Sequence, residues 1–145
     1  MVAIVAGRAP NDAALADLLR HTRSIAVVGL SPRADRPSHE VASYLQAHGY
    51  RVWPVNPAVS EVLGHPSYAD VDALPDAPDV VCVFRRPAEV PAVAEAAVRR
   101  RARALWLQLG ITHPEAEEAA AAAGLVVVSD RCMKVEHQRL IAPVL

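Results

Sequence analysis

Apolar positions along this chain fall into two alternating patterns. Residues 25–30, 51–55, 79–84, 104–109 and 125–128 are short apolar runs of strand type. Between them, apolar residues recur at helical spacing. Leu15, Leu18 and Leu19 mark a helix over 11–21. Val41, Tyr44 and Leu45 mark one over 38–48, stopped by Gly49, a natural residue just past a helix end. A helix over 88–101 turns Val90, Val93, Ala94, Ala97 and Val98 inward, with Pro91 tolerable only in its first turn. Thr112 and Glu115 match a capping box that opens a helix running to Gly124 through the alanine run 119–123. A last short helix covers 133–140. The piece 58–78 is irregular, punctuated by Gly64, Pro66, Pro75 and Pro78.

Continuous apolar strands imply burial on both faces, and strand–helix alternation implies right-handed crossovers and a parallel sheet. The expected architecture is α/β: a Rossmann-like three-layer domain with a five-stranded, mostly parallel sheet. One such domain accounts for residues 1–145, with no linker, charge block or solenoid repeat. In sheets of this kind ligands bind beyond the carboxyl ends of the strands, where the strand order reverses.

Composition narrows the partners. Net charge is −1, which argues against nucleic acid or an anionic membrane as the main partner and makes any anion site local. No apolar run is long enough to span a bilayer. The N-terminal "MVAIVAGRAP" lacks the basic leader and long apolar core of a signal peptide, and two cysteines give no disulfide framework. Together these point to the cytoplasm. Basic residues are almost all arginine, with Lys134 the lone lysine, a bias that genome composition explains and that by itself says little about phosphate.

The strand ends carry the chemistry. Arg33, Arg36, Arg85, Arg86 and Arg131 all follow strands and are expected on one edge, which favours an anionic ligand over a row of solvated loop arginines. The first turn, "VVGLSPRADRPS", matches the dinucleotide pattern G-x-G-x-x-G only at Gly29; Ser31 stands at the second glycine position. A longer loop with a serine hydroxyl and arginines can still wrap phosphates, aided by the N–H groups of a helix starting near Pro37 and Ser38. The second strand ends in "PVNP", without the acid that binds unphosphorylated ribose. NAD is thus disfavoured, while NADP and coenzyme A, both phosphorylated on the adenosine ribose, stay compatible.

The segments "VVGLSPRADRPSHEVASYLQAHGYRVWPVNP", "VFRRPAEV", "LWLQLGI" and "VVVSDRCMKVEHQRL" resemble the stand-alone bacterial CoA-binding proteins, a family similar to the N-terminal CoA-binding domain of the succinyl-CoA synthetase α subunit. The resemblance covers about residues 15–140. It implies coenzyme A or an acyl-CoA as ligand. By the same resemblance Gly29, Ser31, Pro32 and Arg36, with Pro37 and Ser38, line the phosphate turn. Val55, Asn56 and Pro57 flank the adenosine side. Phe84 and Arg85 contact the nucleotide–pantetheine path, and Gln108, Leu109 and Gly110 border the pantetheine, with Arg131 and Cys132 nearby. In synthetases of that group the phosphorylated histidine and the nucleotide-hydrolysing region lie outside this domain, so the expectation is a non-catalytic binding or regulatory module, with room for a protein partner or homo-oligomer.

Two rivals remain at this stage. One is an enzyme: an NADP-linked oxidoreductase, opposed by the missing second glycine and the lack of a Tyr-Lys proton donor, or an acyl-CoA enzyme using Cys132, a thiol near a helix start beside Arg131. The other is an interaction module whose site has decayed; it calls for opposing charge at the arginine edge, and the sequence shows none. Cys82 reads as core. The six histidines are scattered, without zinc-type ligand spacing, so no metal is expected. His39 beside the first turn reads as a helix-start surface residue, and the arginines of 99–103 as a solvated helix end.

Overall fold

The structure, a computed structural model, describes residues 9–142. Most of the stretch assessed as a secretory leader, residues 1–8, lies outside them. Helix α1 (Asp12–His21) leads into strand β1 (Ser24–Val28), followed by α2 (Pro37–Ala47) and β2 (Arg51–Val55). The irregular piece holds β3 (Glu61–Val62), β4 (His65–Pro66) and a 3-10 turn at Val71–Ala73. Then come β5 (Val80–Val83), α3 (Val90–Arg99), β6 (Ala104–Leu107), α4 (Pro114–Ala122), β7 (Val126–Val128) and α5 (Met133–Leu140).

Five strands form one sheet in the order β2-β1-β5-β6-β7, every neighbouring pair parallel. The expected Rossmann-like sheet is therefore present and wholly parallel. The chain moves one way from β1 to β2 and the other way from β5 to β7, so the order reverses between β1 and β5. That reversal sends the crossovers to opposite faces. α1, α2 and α5 pack with Leu15, Ile25, Leu45, Trp106 and Met133 on one side. α3, α4 and the 71–73 turn pack with Val81, Leu105 and Leu107 on the other. The strands alternate their side chains between two cores, which is why they are apolar apart from Ser24 and Arg51 at the first positions of β1 and β2.

Three expectations shift in detail. β6 ends at Leu107, not Leu109, so Leu109 stands in the following turn and is 72% exposed. The helix cap before α4 is His113, not Thr112. His113 Nδ1 accepts the Ala116 N–H at 3.1 Å, and Glu117, not Glu115, takes the His113 N–H at 2.8 Å. Pro114 explains the shift: its fixed φ and missing N–H suit the first helical position, which makes the preceding residue the cap. The irregular piece also hides a hairpin, β3–β4, turned by Leu63 and Gly64 at φ 52° and 79°.

Helix α5 closes the α2 face through polar contacts. Tyr44 Oη and His137 Nδ1 share a hydrogen bond of 2.8 Å, Lys134 pairs with Glu40 at 2.8 Å, and Arg139 grips Asp12 of α1 through two contacts of 2.8 Å. His137 is buried, and that burial, with His48 nearby, holds its pKa below the ordinary 6.5. A depressed histidine pKa means the unfolded chain binds the proton better, so stability is full at neutral pH. It falls as pH drops below about 6.5 and levels off below the folded-state value. Thermal melts in pH steps through that window should show the decline, and His137→Gln, which keeps a polar partner for Tyr44 but does not titrate, should flatten it. An equal slope in both proteins would remove His137 as its source.

Candidate functional site

The site is built where β1 and β5 part. Gly29 leaves β1 at φ 87°, and its N–H donates to the Val55 carbonyl at 2.8 Å. A Cβ there would lie 2.6 Å from the Phe84 carbonyl oxygen, too close for any other residue. The backbones of the two strand ends thus meet at this glycine.

Beyond it the turn is tied by its own polar groups. Leu30 is buried, and its carbonyl accepts Asn56 Nδ2 at 3.0 Å. The Ser31 N–H donates to Ser38 Oγ at 3.0 Å, and Ser31 Oγ accepts the Arg33 N–H at 3.1 Å. Arg36 occupies the cap position of α2 with extended backbone and no side-chain capping bond, and Pro37 follows as the first helical residue. Ser38 is buried beneath the turn. Asn56 is fully engaged: besides holding Leu30, its Oδ1 accepts the Ala58 N–H at 2.9 Å, and its backbone bonds to Tyr68 and Ser67. Ser38 and Asn56 therefore shape the turn: Ser38 Oγ and both amide atoms of Asn56 are hydrogen-bonded within the chain.

A cleft of about 560 Å³ opens beside this turn on the α3 face. Val28 and Val55 floor it, Ala92, Val93 and Ala96 form one wall, and Pro57 with the 69–72 segment forms the other. Arg85 stands at its rim, with Nε 3.2 Å from the point where a Gly29 Cβ would sit. Among the described residues its guanidinium has no hydrogen-bond or ion-pair partner.

Of the residues singled out in the sequence, the structure brings Val55, Pro57 and Arg85 into this cleft and sets Gly29 against Arg85. Ser31, Pro32, Arg36, Pro37, Ser38 and Asn56 form the turn and its supports but do not line the cleft. Phe84 packs into the α1–α2–α5 core, so only its backbone faces Gly29. Gln108 is buried, with Nε2 donating to Cys82 Sγ at 3.0 Å. The Gly110 N–H donates to Asp130 Oδ1 at 2.7 Å. The Arg131 carbonyl accepts Trp106 Nε1 at 2.9 Å, and Cys132, half-buried, occupies the cap position of α5. These last residues cluster after β6 and β7, along the same sheet edge.

The arginine edge is less cationic than its sequence suggests. Arg33 pairs with Asp35 at 3.0 Å, Arg86 with Glu89 at 3.4 Å and Arg131 with Glu136 at 3.3 Å. The expectation of no opposing charge is thus corrected: each of these arginines has a carboxylate two to five residues along the chain. Arg36 and Arg85 are the two left without an ion pair among the described residues. The helix end at 99–103 is solvated as expected at Arg99, Arg101 and Arg103, but two of its arginines also make contacts the sequence did not suggest. Arg99 grips Asp72 through contacts of 2.7 and 3.3 Å, and Arg100 donates to the carbonyls of Asp72 and Leu74. These arginines bind the far wall of the cleft to α3, and the Arg99 hydrogen bond holds the Asp72 carboxyl below its usual range.

Sequence reasoning missed that wall and the α3 face. The available signal was small: Ala92, Val93 and Ala96 sit one helical turn apart just after "RRP", a spacing that leaves room above the strand ends. Burial pushes the Cys82 thiol up to about 12, consistent with its expected place in the core. No helix among the described residues is long and apolar enough to cross a membrane.

Comparison with known proteins gives this geometry a family. YneT of Bacillus subtilis, an uncharacterized protein, is 38% identical over 128 residues, spanning 88% of this chain and 95% of YneT. A hypothetical protein from Pyrococcus horikoshii is 37% identical with a TM-score of 0.90, covering 97% of this chain and 99% of that one. A dinucleotide-forming acetyl-coenzyme A synthetase from Ca. Korarchaeum cryptofilum, solved with phosphate and ADP, shares the fold alone. It is 24% identical with a TM-score of 0.68, over 79% of this chain and 28% of the synthetase. The model of the CoA binding domain matches residues 23–138, so this chain belongs to the CoA-binding domain family.

Proposed function

We propose that this protein binds coenzyme A, free or acylated, in the crevice beyond β1 and β5, and acts as a binding or regulatory module without chemistry of its own. The observation that carries the reading is Arg85: an uncommitted guanidinium beside a glycine turn, at the rim of a cleft of nucleotide size. Guanidinium forks suit phosphate oxygens, and a backbone without a Cβ allows close approach. The residues present therefore fit the ligand that the family implies. In this reading Arg85, helped by Arg36 at the start of α2, holds the phosphates. The adenosine side lies against Val28, Val55 and Pro57, and the pantetheine arm runs along the sheet edge toward Leu109, Gly110, Arg131 and Cys132. Ser38, Asn56 and Gln108 act as positioning residues, because Ser38 Oγ, both amide atoms of Asn56 and Gln108 Nε2 are already engaged.

The absence of chemistry rests on how the cleft's carboxylates are spent. Asp70 caps the 71–73 turn by accepting the Ala73 N–H at 2.9 Å, Asp72 is held by Arg99, and Glu89 pairs with Arg86. None stands beside a nucleophile among the described residues.

Thermal melts with CoA, acetyl-CoA, NADP and NAD test the reading. Ligand at about 100 times its Kd adds roughly 2.7 kcal/mol, which for a chain of this size raises the melting temperature by about 5–10 °C. CoA species should give the shift; a shift with NADP and none with CoA would overturn the proposal. Arg85→Ala should weaken CoA at least about tenfold, as expected for the loss of a charge-assisted hydrogen bond, and leave the unliganded melt unchanged. Unchanged affinity would take Arg85 out of the site.

Gly29→Ala tests the turn. A side chain at φ 87° that meets the Phe84 carbonyl forces β1 and β5 apart. Urea unfolding should show a loss of about 1–3 kcal/mol, with CoA binding reduced in the remaining folded protein. A variant as stable as the parent would show that the close approach is not required.

A further inference from the structure

We infer that the opposite end of the sheet carries a second anion site, one that takes a phosphate or diphosphate group. Arg20 and His21 from the last turn of α1, Arg23 ahead of β1, Asp79 ahead of β5 and Arg103 ahead of β6 line a concavity of about 500 Å³. It lies beyond the N-terminal ends of the strands, a sheet length from Gly29 and Arg85, and it does not depend on the CoA reading.

The backbone beneath it is fixed from several sides. Asp79 Oδ2 accepts the N–H groups of Arg23 at 2.8 Å and Ser24 at 3.2 Å. The Arg103 N–H donates to the Asp79 carbonyl at 2.8 Å, the Arg51 N–H to the Arg23 carbonyl at 2.8 Å, and the Val126 N–H to the Arg103 carbonyl at 2.9 Å. Arg23 and Arg103 are therefore launched from strand entries that are hydrogen-bonded on both sides. Rigid supports of this kind hold a binding constellation better than loops do.

The charges are left unanswered within the chain. Among the described residues, the guanidinium groups of Arg20, Arg23 and Arg103 form no ion pair and no side-chain hydrogen bond. His21 Nδ1 is the exception: it sits 2.9 Å from the Asp17 carbonyl and 3.2 Å from Asp17 Oδ1. Asp79 is the lone carboxylate in the lining, and its Oδ2 is occupied by backbone. The contrast with the other edge is direct, since there Arg33, Arg86 and Arg131 each have a carboxylate. A concavity lined by three arginines, a histidine and an aspartate offers no aromatic or aliphatic side chain as a platform for a base or an acyl chain, so it recognises its ligand by charge and by guanidinium forks. A phosphate group with several acceptor oxygens answers those forks.

Titrating pyrophosphate into ¹⁵N-labelled protein at low ionic strength, where exposed charges are least screened, tests this directly. The amides of Arg23, Ser24, Arg103 and Ala104 should shift. Inorganic phosphate should move the same amides more weakly, which separates a diphosphate preference from simple orthophosphate binding. The double variant Arg23→Ala/Arg103→Ala should bind pyrophosphate at least about tenfold more weakly. The CoA-induced melting shift should be unaffected in that variant, which keeps the two sites distinguishable. Shifts confined to Gly29, Arg85 and their neighbours, or full pyrophosphate affinity in the double variant, would overturn the inference.

Discussion

The contact on which the rest of this molecule depends is the approach of Gly29 to the Phe84 carbonyl. Two adjacent parallel strands whose crossovers go to opposite faces must part at their carboxyl ends, and the crevice that results is only as deep as the backbones allow. With no Cβ at residue 29, β1 turns away directly over the end of β5, within a distance that any side chain would fill. The Gly29 N–H bond to Val55 then ties β2 into the same corner. One missing methyl group thus sets the depth of the crevice, the direction of the following loop and the surface on which Arg85 lies.

Polar groups around that corner divide into those that build it and those it leaves free. Ser38, Asn56 and Gln108 look like ligand contacts in a linear sequence because they follow strands. In the folded chain each satisfies a buried partner: the Ser31 N–H, the Leu30 carbonyl, the Cys82 sulfur. Leaving those groups unpaired costs more than the bonds contribute when made, so the scaffold claims such side chains first. Arg85 escapes because the carboxylates that share its cleft are engaged elsewhere: Asp70 by the Ala73 N–H, Asp72 by Arg99 and Glu89 by Arg86. The ion pairs of Arg33 and Arg86 are exposed and individually weak, and with the more buried pair of Arg131 their main effect is to neutralise the edge around Arg36 and Arg85, which stay free.

Much of this was legible in advance. The five apolar runs and the helices between them gave the sheet, because burial on both faces leaves continuous apolar strands that little else imitates. Gly29 and the extended loop before Pro37 were legible because glycine and proline act locally. The wall formed by 69–72 was not, since its position depends on Arg99 and Arg100, nearly thirty residues away, reaching Asp72 and Leu74. The β3–β4 hairpin escaped for a different reason: its turn puts Leu63 at positive φ, where the residue types that usually announce such a turn are asparagine, aspartate or glycine. The cap at His113 turned on whether Pro114 takes the first or the second helical position after a cap candidate, a difference of one residue that composition does not resolve.

Register explains why Arg85, of all the strand-end arginines, meets the turn. Val28 pairs with Val83 in the parallel ladder, so Gly29 lies opposite Phe84, and the next residue is the first that can reach over the glycine. The sequence holds Gly29 and Arg85 far apart with nothing local to join them. Only the strand order, β1 beside β5, and this register make them neighbours. Arg86, one position on, falls outside that reach and pairs with Glu89 instead. A one-residue slip between β1 and β5 would exchange their roles and also turn Val81 and Cys82 into each other's cores, so the same packing that fixes the two hydrophobic layers also fixes which arginine faces the cleft.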